Sequence, residues 1–185
     1  KVRLKQAGRG GTGTVFRDVA DLSSPLLVSL SSSDLSAAAV PATVEIPANA
    51  ASVTFPIDAV DDALDDGTQT VTITAQAAGY PDAAYTLDVR DDDTAGITVQ
   101  AAEDLQTSEA GGTATFTIRL NSEPAGDVTV ALSSGDLSEG TVLPATLTFT
   151  AGDWSSPQTV TVTGVDDSLA DGDVGYSILT AAASS

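Results

Sequence analysis

Apolar and polar residues alternate along most of the chain, and no extended apolar pattern has the 3.6-residue period of a helix. Thr, Val, Ile and Ser fill the alternating segments, and these residue types suit a strand with one buried face. The predicted strands of the first half are 14–19, 26–30, 42–46, 52–60, 69–75 and 85–89. Those of the second half are 96–99, 114–120, 127–132, 145–150, 159–165 and 174–180. The pattern predicts an all-β fold of antiparallel β-sandwiches.

The two halves carry the same motifs in the same order. An acidic loop and three shorter motifs recur about a hundred residues apart: Val60-Asp-Asp-Ala-Leu-Asp-Asp-Gly67 as Val165-Asp-Asp-Ser-Leu-Ala-Asp-Gly172, Gly10-Gly-Thr12 as Gly111-Gly-Thr113, Ser32-Ser-Asp-Leu-Ser36 as Ser134-Gly-Asp-Leu-Ser138, and Pro41-Ala-Thr-Val44 as Pro144-Ala-Thr-Leu147. The small drifts in spacing fall where loops are expected. We therefore expect two tandem immunoglobulin-like sandwiches arranged end to end, residues 1–93 and residues 94–185.

The copies differ at their ends. The first closes with strand 85–89 and the triplet Asp91-Asp-Asp93, whereas the second reaches Ser185 without either. We expect the second sandwich to lack its last strand and to expose an unpaired edge. That strand comes either from further residues of a longer protein or from a neighbouring molecule by strand addition.

Most of the basic residues are crowded into the N-terminal stretch. Five of the seven are Lys1, Arg3, Lys5, Arg9 and Arg17. We interpret this stretch as a solvated, frayed end. The alternative is that it meets an acidic neighbour in a head-to-tail contact.

Acidic residues dominate the charge, with 26 Asp and Glu against seven Lys and Arg and a net charge of −19. Both halves are acidic, so neither is a basic arm. Such a polyanion does not bind nucleic acid or anionic membranes. There is no apolar run long enough for membrane insertion.

Cys, Met and His are absent. This excludes disulfides, thiolate or imidazole metal sites, and Ser-His or Cys-His nucleophile pairs. Oxygen ligands remain. Paired carboxylates act in glycosidases only when they flank the scissile bond, and adjacent aspartates in one turn cannot do so. We therefore do not expect an enzyme.

The repeated acidic loop crowds carboxylates into a short turn. At an effective dielectric constant near 20, two such charges about 4 Å apart repel by roughly 4 kcal/mol, so a nearby cation is favoured. Calcium takes six to eight oxygen ligands in a tolerant geometry, whereas magnesium requires a tight octahedron. Asp pairs also end strands and cap turns. The repetition of the loop and the added triplet favour calcium.

These motifs, together with Ser108-Glu-Ala-Gly-Gly-Thr-Ala-Thr-Phe116 and Asp91-Asp-Asp-Thr-Ala-Gly-Ile-Thr-Val99, resemble the Calx-beta family of calcium-binding sandwich repeats. The resemblance covers nearly the whole chain. The composition of the chain, rich in Ala, Thr and Ser, is similar to that of bacterial cell-surface and adhesin arrays. It implies calcium ions at one end of each sandwich, in loops that face the next module.

The resemblance also implies the ligands. The first site would use Asp34, Asp61, Asp62, the Leu64 carbonyl, Asp66, Asp91, Asp92 and Asp93. The second would use Glu109, Asp136, Asp166, Asp167, the Leu169 carbonyl and Asp171, with Asp173 as an outer candidate. The first unit lacks the early Glu and has Gln69 where the family has a later Glu. The second has Val174 there and lacks the triplet, so we expect the first site to be the stronger.

We expect a non-catalytic calcium-binding structural repeat of a large secreted bacterial surface protein, adhesin or extracellular filament. Calcium would rigidify the junction between the domains, and the partners would be neighbouring repeats at the cell surface. The alternatives are a module that binds a cell-surface glycan or protein, and a fibre subunit that assembles by strand addition. The low aromatic content of 4% weakens the glycan alternative, and we expect Trp154 to pack against the sandwich.

Overall fold

The computed structural model describes residues 2–6, 11–102, 104–169 and 172–181, which form strands, turns and loops and no helix. Every ladder between the strands is antiparallel, so the all-β prediction is confirmed. None of the described residues forms a helix that could cross a bilayer. The chain divides into two compact units, Lys1–Asp62 with Asp66–Asp92 and Ala63–Asp65 with Asp93–Ser185.

The described part of the first unit contains nine strands: β1 (Val2–Gln6), β2 (Thr12–Arg17), β3 (Leu26–Ser32), β4 (Ala38–Ala39), β5 (Thr43–Ile46), β6 (Ser52–Pro56), β7 (Asp58–Ala59), β8 (Gln69–Gln76) and β9 (Ala83–Val89). They form sheets with the strand orders β1-β2-β6 and β5-β3-β8-β9, and a short β4-β7 pair. The alternation predicted from the sequence sets the core, since β8 buries Val71, Ile73 and Ala75 and turns the intervening Thr residues outward. Val2 and Val15 are buried from the other sheet. Each fully buried aliphatic side chain of this kind contributes about 1.5 to 3 kcal/mol.

The second unit contains seven strands in the described residues: β10 (Ile97–Ala101), β11 (Thr113–Leu120), β12 (Val128–Ser134), β13 (Gly140–Leu143), β14 (Thr146–Phe149), β15 (Gln158–Gly164) and β16 (Ile178–Thr180). Their sheets are β10-β11-β15-β13 and β14-β12-β16. Ile118, Val130, Phe149 and Val160 form the centre of the core. Trp154 is half-buried against this core, which confirms the packing role predicted for it.

The two units repeat one topology. The order β1-β2-β6 corresponds to β10-β11-β15, and β5-β3-β8 corresponds to β14-β12-β16. Strand β9 pairs with β8 in the first unit, and no strand of the described residues occupies the same place beside β16. Within the described residues, β16 is thus the last strand of its sheet, whereas β8 has a neighbour on each side.

Every predicted strand overlaps an observed strand, but three observed strands were missed. These are β1, β4 and β13. The prediction 174–180 was too long, because only Ile178–Thr180 pairs with β12. The prediction of a frayed N-terminal end was wrong for Val2–Gln6, which pairs along its length with β2. Lys1 and Arg9, assigned to the same end, lie outside the described residues.

Arg17 is the second correction to the frayed-end interpretation, because its side chain is only 7% exposed. Its guanidinium donates hydrogen bonds to the carbonyls of Leu22, Ser24, Pro47 and Ala50, at 2.6 to 3.0 Å. Five N–H donors in a rigid planar group allow one side chain to satisfy several carbonyls at once. Arg17 therefore joins the loop after β2 to the turn between β5 and β6.

We predict that Arg17→Met destabilises the first unit by about 2 to 3 kcal/mol, because it removes the charge-assisted hydrogen bonds that this nearly buried side chain donates to four carbonyls. Chemical denaturation, followed by amide signals of the first-unit core, measures this effect. The matched control is Arg3→Met, which breaks the exposed 3.1 Å ion pair with Asp18. Since exposed pairs contribute roughly 0 to 1 kcal/mol, that variant stays close to the parent. Equal destabilisation by both variants would contradict the role of Arg17.

Candidate functional site

The repeated acidic loop has the same backbone conformation at its glycine in both units. Gly67 has a φ of 76° and Gly172 a φ of 77°. These angles lie in the left-handed region, which glycine adopts without steric cost. The glycine that ends the motif is thus favoured by the turn in both copies.

Asp91 holds the end of the first acidic loop. Its Oδ2 accepts hydrogen bonds from the backbone N–H groups of Asp66, at 2.9 Å, and Gly67, at 2.8 Å. The Gln69 side-chain amide donates to the Asp66 carbonyl at 3.0 Å. The start of the Asp91 to Asp93 triplet therefore lies against the acidic loop, although the two are 25 residues apart in sequence.

The remaining acidic residues assigned to this loop are mostly exposed. Asp61, Asp62, Asp66 and Asp92 are exposed, whereas Asp91 is half-buried. The structure brings Asp66 and Asp91 together in this unit. Leu64 and Asp93, which the resemblance also assigns to the first site, belong to the second compact unit.

Asp34 and Asp136 form the same local turn in the two units. The Ser36 hydroxyl and backbone N–H both donate to Asp34 Oδ1, at 2.5 and 2.9 Å. Ser138 donates to Asp136 in the same way through its hydroxyl and its N–H. The serine hydroxyl and then the serine N–H lower the pKa of each carboxyl below its usual value of 3.8. One carboxylate oxygen of each Asp is thus engaged in its own turn.

The candidate ligands of the second unit are less closely connected. Asp167 Oδ1 accepts a hydrogen bond from the Leu169 N–H at 2.7 Å, and Asp166 is exposed. Glu109 and Asp173 line a groove that also contains Glu139. Asp171 lies outside the described residues.

The sequence analysis did not select Asp65, although it lies within the acidic loop. Its Oδ2 accepts a hydrogen bond from the Ala95 N–H at 2.7 Å, and both residues belong to the second unit. Next to it, the Ala63 carbonyl accepts a hydrogen bond from the Glu123 N–H at 2.7 Å. In the sequence, the carboxylate of Asp65 was the available sign of a role. The comparison of the two repeats did not point to Asp65, because the second repeat has Ala170 at the corresponding position.

The donor set fits calcium in its chemistry. Carboxylate and carbonyl oxygens are the ligands of a hard cation, and the chain offers no sulfur or imidazole donors. However, in the ranges that the structure describes, no three acidic side chains are grouped so as to hold a metal ion. A calcium ion would therefore have to draw the exposed side chains of the loop together.

No protein-family model matches the chain, and no curated protein matches it. Among solved structures, the chain is similar to the calcium binding domain CBD12 of CALX1.1, with a TM-score of 0.43, 16% identity, and coverage of 99% of this chain and 80% of that one. It is similar to CBD12 from CALX1.2 with a TM-score of 0.40, 16% identity, and coverage of 93% and 73%.

The chain is also similar to a chaperone and tip adhesion subunit pre-assembly complex, CsuC-CsuE, from the archaic chaperone-usher Csu pili of Acinetobacter baumannii. That comparison has a TM-score of 0.32, 10% identity, and coverage of 96% of this chain and 93% of that one.

We predict that Ser36→Ala raises the pKa of Asp34 toward 3.8, because the largest cause of its lowering is removed. Since the folded state lowers this pKa, the Ser36 contacts stabilise the fold above the ordinary pKa and are lost as the pH falls through the folded value. An NMR titration of the carboxyl carbons measures the shift. Ser138→Ala is the control, and it should move only Asp136. An unchanged Asp34 titration in Ser36→Ala would refute this cause.

We predict that Asp91→Ala destabilises the first unit by about 1 to 3 kcal/mol without added metal, because two backbone N–H groups lose a charged acceptor. The neighbouring Asp92→Ala removes the same charge from an exposed position, and we expect a change within about 0.5 kcal/mol. Denaturant unfolding in EDTA compares the two variants. Identical effects would mean that charge alone, and not the Asp91 contact, matters here.

Proposed function

We propose that this chain is a non-catalytic, calcium-binding structural module. The observation that supports it most is the Asp91 contact with the backbone of Asp66 and Gly67. Asp66, Gly67 and Asp91 all belong to the first compact unit, so this contact joins two acidic segments within that unit. A hard divalent cation is the species that such a concentration of carboxylates favours.

The residues have different roles in the proposed site. Asp61, Asp62, Asp66 and Asp92 offer carboxylates from exposed positions. Asp91 anchors the loop through Oδ2. Asp34 accepts both of its hydrogen bonds from Ser36 through Oδ1. Bound calcium would supply the positive charge that offsets repulsion among these groups.

The second unit is the weaker candidate. Its predicted ligands include the exposed Asp166 and the Asp167 carboxylate that accepts from Leu169. Glu109, Asp136 and Asp173 complete the described part of the set. The unit has no acidic triplet after β16 in the described residues, so we propose a lower calcium affinity there than in the first unit.

The exposure of the candidate ligands favours weak calcium binding, because side chains that the ion must gather lose entropy on binding. Calcium affinities of extracellular modules are about 0.1 to 1 mM, whereas cytosolic sensors bind far more tightly. We therefore extend the proposal to a structural repeat of a secreted surface protein, adhesin or filament, with neighbouring repeats as partners.

We also propose that calcium stiffens the chain at the junction that follows the first unit. The support comes from sequence order, because Asp91, Asp92 and Asp93 immediately precede the Thr94-Ala-Gly-Ile97 segment that leads into β10. Carboxylates fixed by an ion would restrict the backbone that carries them.

We predict that calcium binds the full chain with a dissociation constant of about 0.1 to 1 mM and raises the melting temperature of the first unit. At a calcium concentration ten times the dissociation constant, binding stabilises the native state by about 1.4 kcal/mol. Calorimetric titration and differential scanning calorimetry measure the two effects. Calcium should also slow proteolysis next to Asp93, and magnesium should replace it poorly.

The decisive variant combines Asp61→Asn, Asp62→Asn and Asp66→Asn, which leaves the Asp91 acceptor in place. We expect its first-unit affinity to fall at least about tenfold, which corresponds to roughly 1.4 kcal/mol. The charge-matched control combines Glu45→Gln, Asp82→Asn and Asp88→Asn, outside the loop, and keeps the affinity. Combining Asp166→Asn, Asp167→Asn and Asp173→Asn separates any contribution of the second unit. If the loop and control variants respond alike to calcium, the ion only screens the charge of the whole chain, and the proposed site is wrong.

A further inference from the structure

The peptide bond between Asp66 and Gly67 has the features of a site for spontaneous rearrangement of the main chain. The sequence contains two Asp-Gly pairs, at 66–67 and 171–172, and only the first lies wholly within the described residues. Asp66 is exposed, and Gly67 has a left-handed φ of 76°. A Cβ at Gly67 would meet no described atom within 4 Å, apart from its chain neighbours. This side of the loop is therefore open.

An Asp-Gly peptide can rearrange without an enzyme, because glycine has no side chain to hinder its nitrogen. The Gly67 nitrogen forms a bond to Asp66 Cγ, and one C–O bond of the carboxylate breaks. The N–H proton, that oxygen and one proton from solvent leave together as water. Water then opens the cyclic imide at the former main-chain carbonyl, breaks its bond to nitrogen and returns a proton to solvent. The main chain now runs through the Asp66 side chain, which makes residue 66 an isoaspartate.

Asp91 holds the nitrogen that this reaction needs. Its Oδ2 accepts hydrogen bonds from the N–H groups of Gly67 and Asp66, at 2.8 and 2.9 Å. The Gln69 side-chain amide donates to the Asp66 carbonyl at 3.0 Å, which restrains the other side of the same residue. To close the ring, the nitrogen must leave the plane of its peptide bond and lose its proton, so the bond to Asp91 has to open first. The reaction therefore proceeds from a locally opened loop.

We propose that Asp66 is a site of self-modification to isoaspartate, and that Asp91 sets the rate by keeping the Gly67 N–H engaged. A charged acceptor forms stronger hydrogen bonds than a neutral one, and here one oxygen secures both N–H groups. Isoaspartate inserts a methylene group into the main chain between these two N–H groups. They then no longer fit the same oxygen, so the modified loop stays detached from Asp91.

The test incubates the full chain in EDTA and heavy-oxygen water, below its melting temperature. Each opening of the imide ring incorporates a heavy oxygen at residue 66, and peptide mapping by mass spectrometry follows this label and the isoaspartate. We expect both to appear about tenfold faster in Asp91→Ala, because the loop opens more often without its charged acceptor. Hydrogen exchange at the Gly67 amide should accelerate in parallel. Asp92→Ala removes an exposed charge beside Asp91, and its rate should stay within about twofold of the parent.

Arg17→Met separates the local contact from the stability of the whole unit. It destabilises the first unit to an extent similar to Asp91→Ala, but the bonds that it removes lie at other carbonyls. With a total stability of about 5 to 15 kcal/mol, the unfolded fraction stays small, so we expect a rate within about twofold of the parent. The second Asp-Gly pair, at 171–172, is an internal reference in every sample, and Asp91→Ala should leave its rate unchanged.

The chemistry itself is tested by Asp66→Glu. The longer side chain disfavours the cyclic imide, so the heavy-oxygen label and the isomer should both disappear at residue 66. Four results would overturn the proposal: label and isomer that persist in Asp66→Glu, no isoaspartate at residue 66 in either the parent or Asp91→Ala, a rate in Asp91→Ala that is equal to or below that of the parent, and equal acceleration by Arg17→Met. Since EDTA is present throughout, the outcome does not depend on whether the loop binds calcium.

Discussion

A β-sheet leaves backbone donors and acceptors unpaired along its outer strands, and it needs a cover for its apolar face. In the first unit, β9 pairs with β8 and its inward side chains pack against the core. Among the described residues of the second unit, no strand occupies the corresponding place beside β16. The described parts of the two units thus differ by this strand.

Clustered acidic side chains impose the second constraint. Some of these carboxylates accept hydrogen bonds from nearby groups. Serine groups donate to Asp34 and Asp136, and backbone N–H groups donate to Asp91. These contacts fix individual carboxylates, but the neutral donors add no positive charge to an acidic loop that also carries the exposed Asp61 and Asp62. Under the proposed function, a divalent cation supplies that positive charge.

Alternation in the sequence predicted most of the strands whose inward residues form the two cores, but it missed β1, β4 and β13, which contribute Val2, Ala38 and Val142. Strand β1 was missed because its basic residues suggested a solvated end, whereas the strand is stabilised by pairing with β2 over its whole length. Strands β4 and β13 are too short to establish a period. The sequence predicted Asp91 only as one of several negative charges. It did not predict the hydrogen bonds from the Asp66 and Gly67 N–H groups, because a side-chain motif does not specify backbone contacts. A role for Asp65 was not predicted, because the corresponding residue in the other repeat is alanine.

Arg17 connects two stretches of chain that are distant in sequence, since its guanidinium bonds to Leu22 and Ser24 on one side and to Pro47 and Ala50 on the other. Neither stretch can separate from the strands without breaking bonds to the same side chain. Their local fluctuations are therefore coupled. These surface segments open together, as one cooperative step, where two unconnected loops would fray independently.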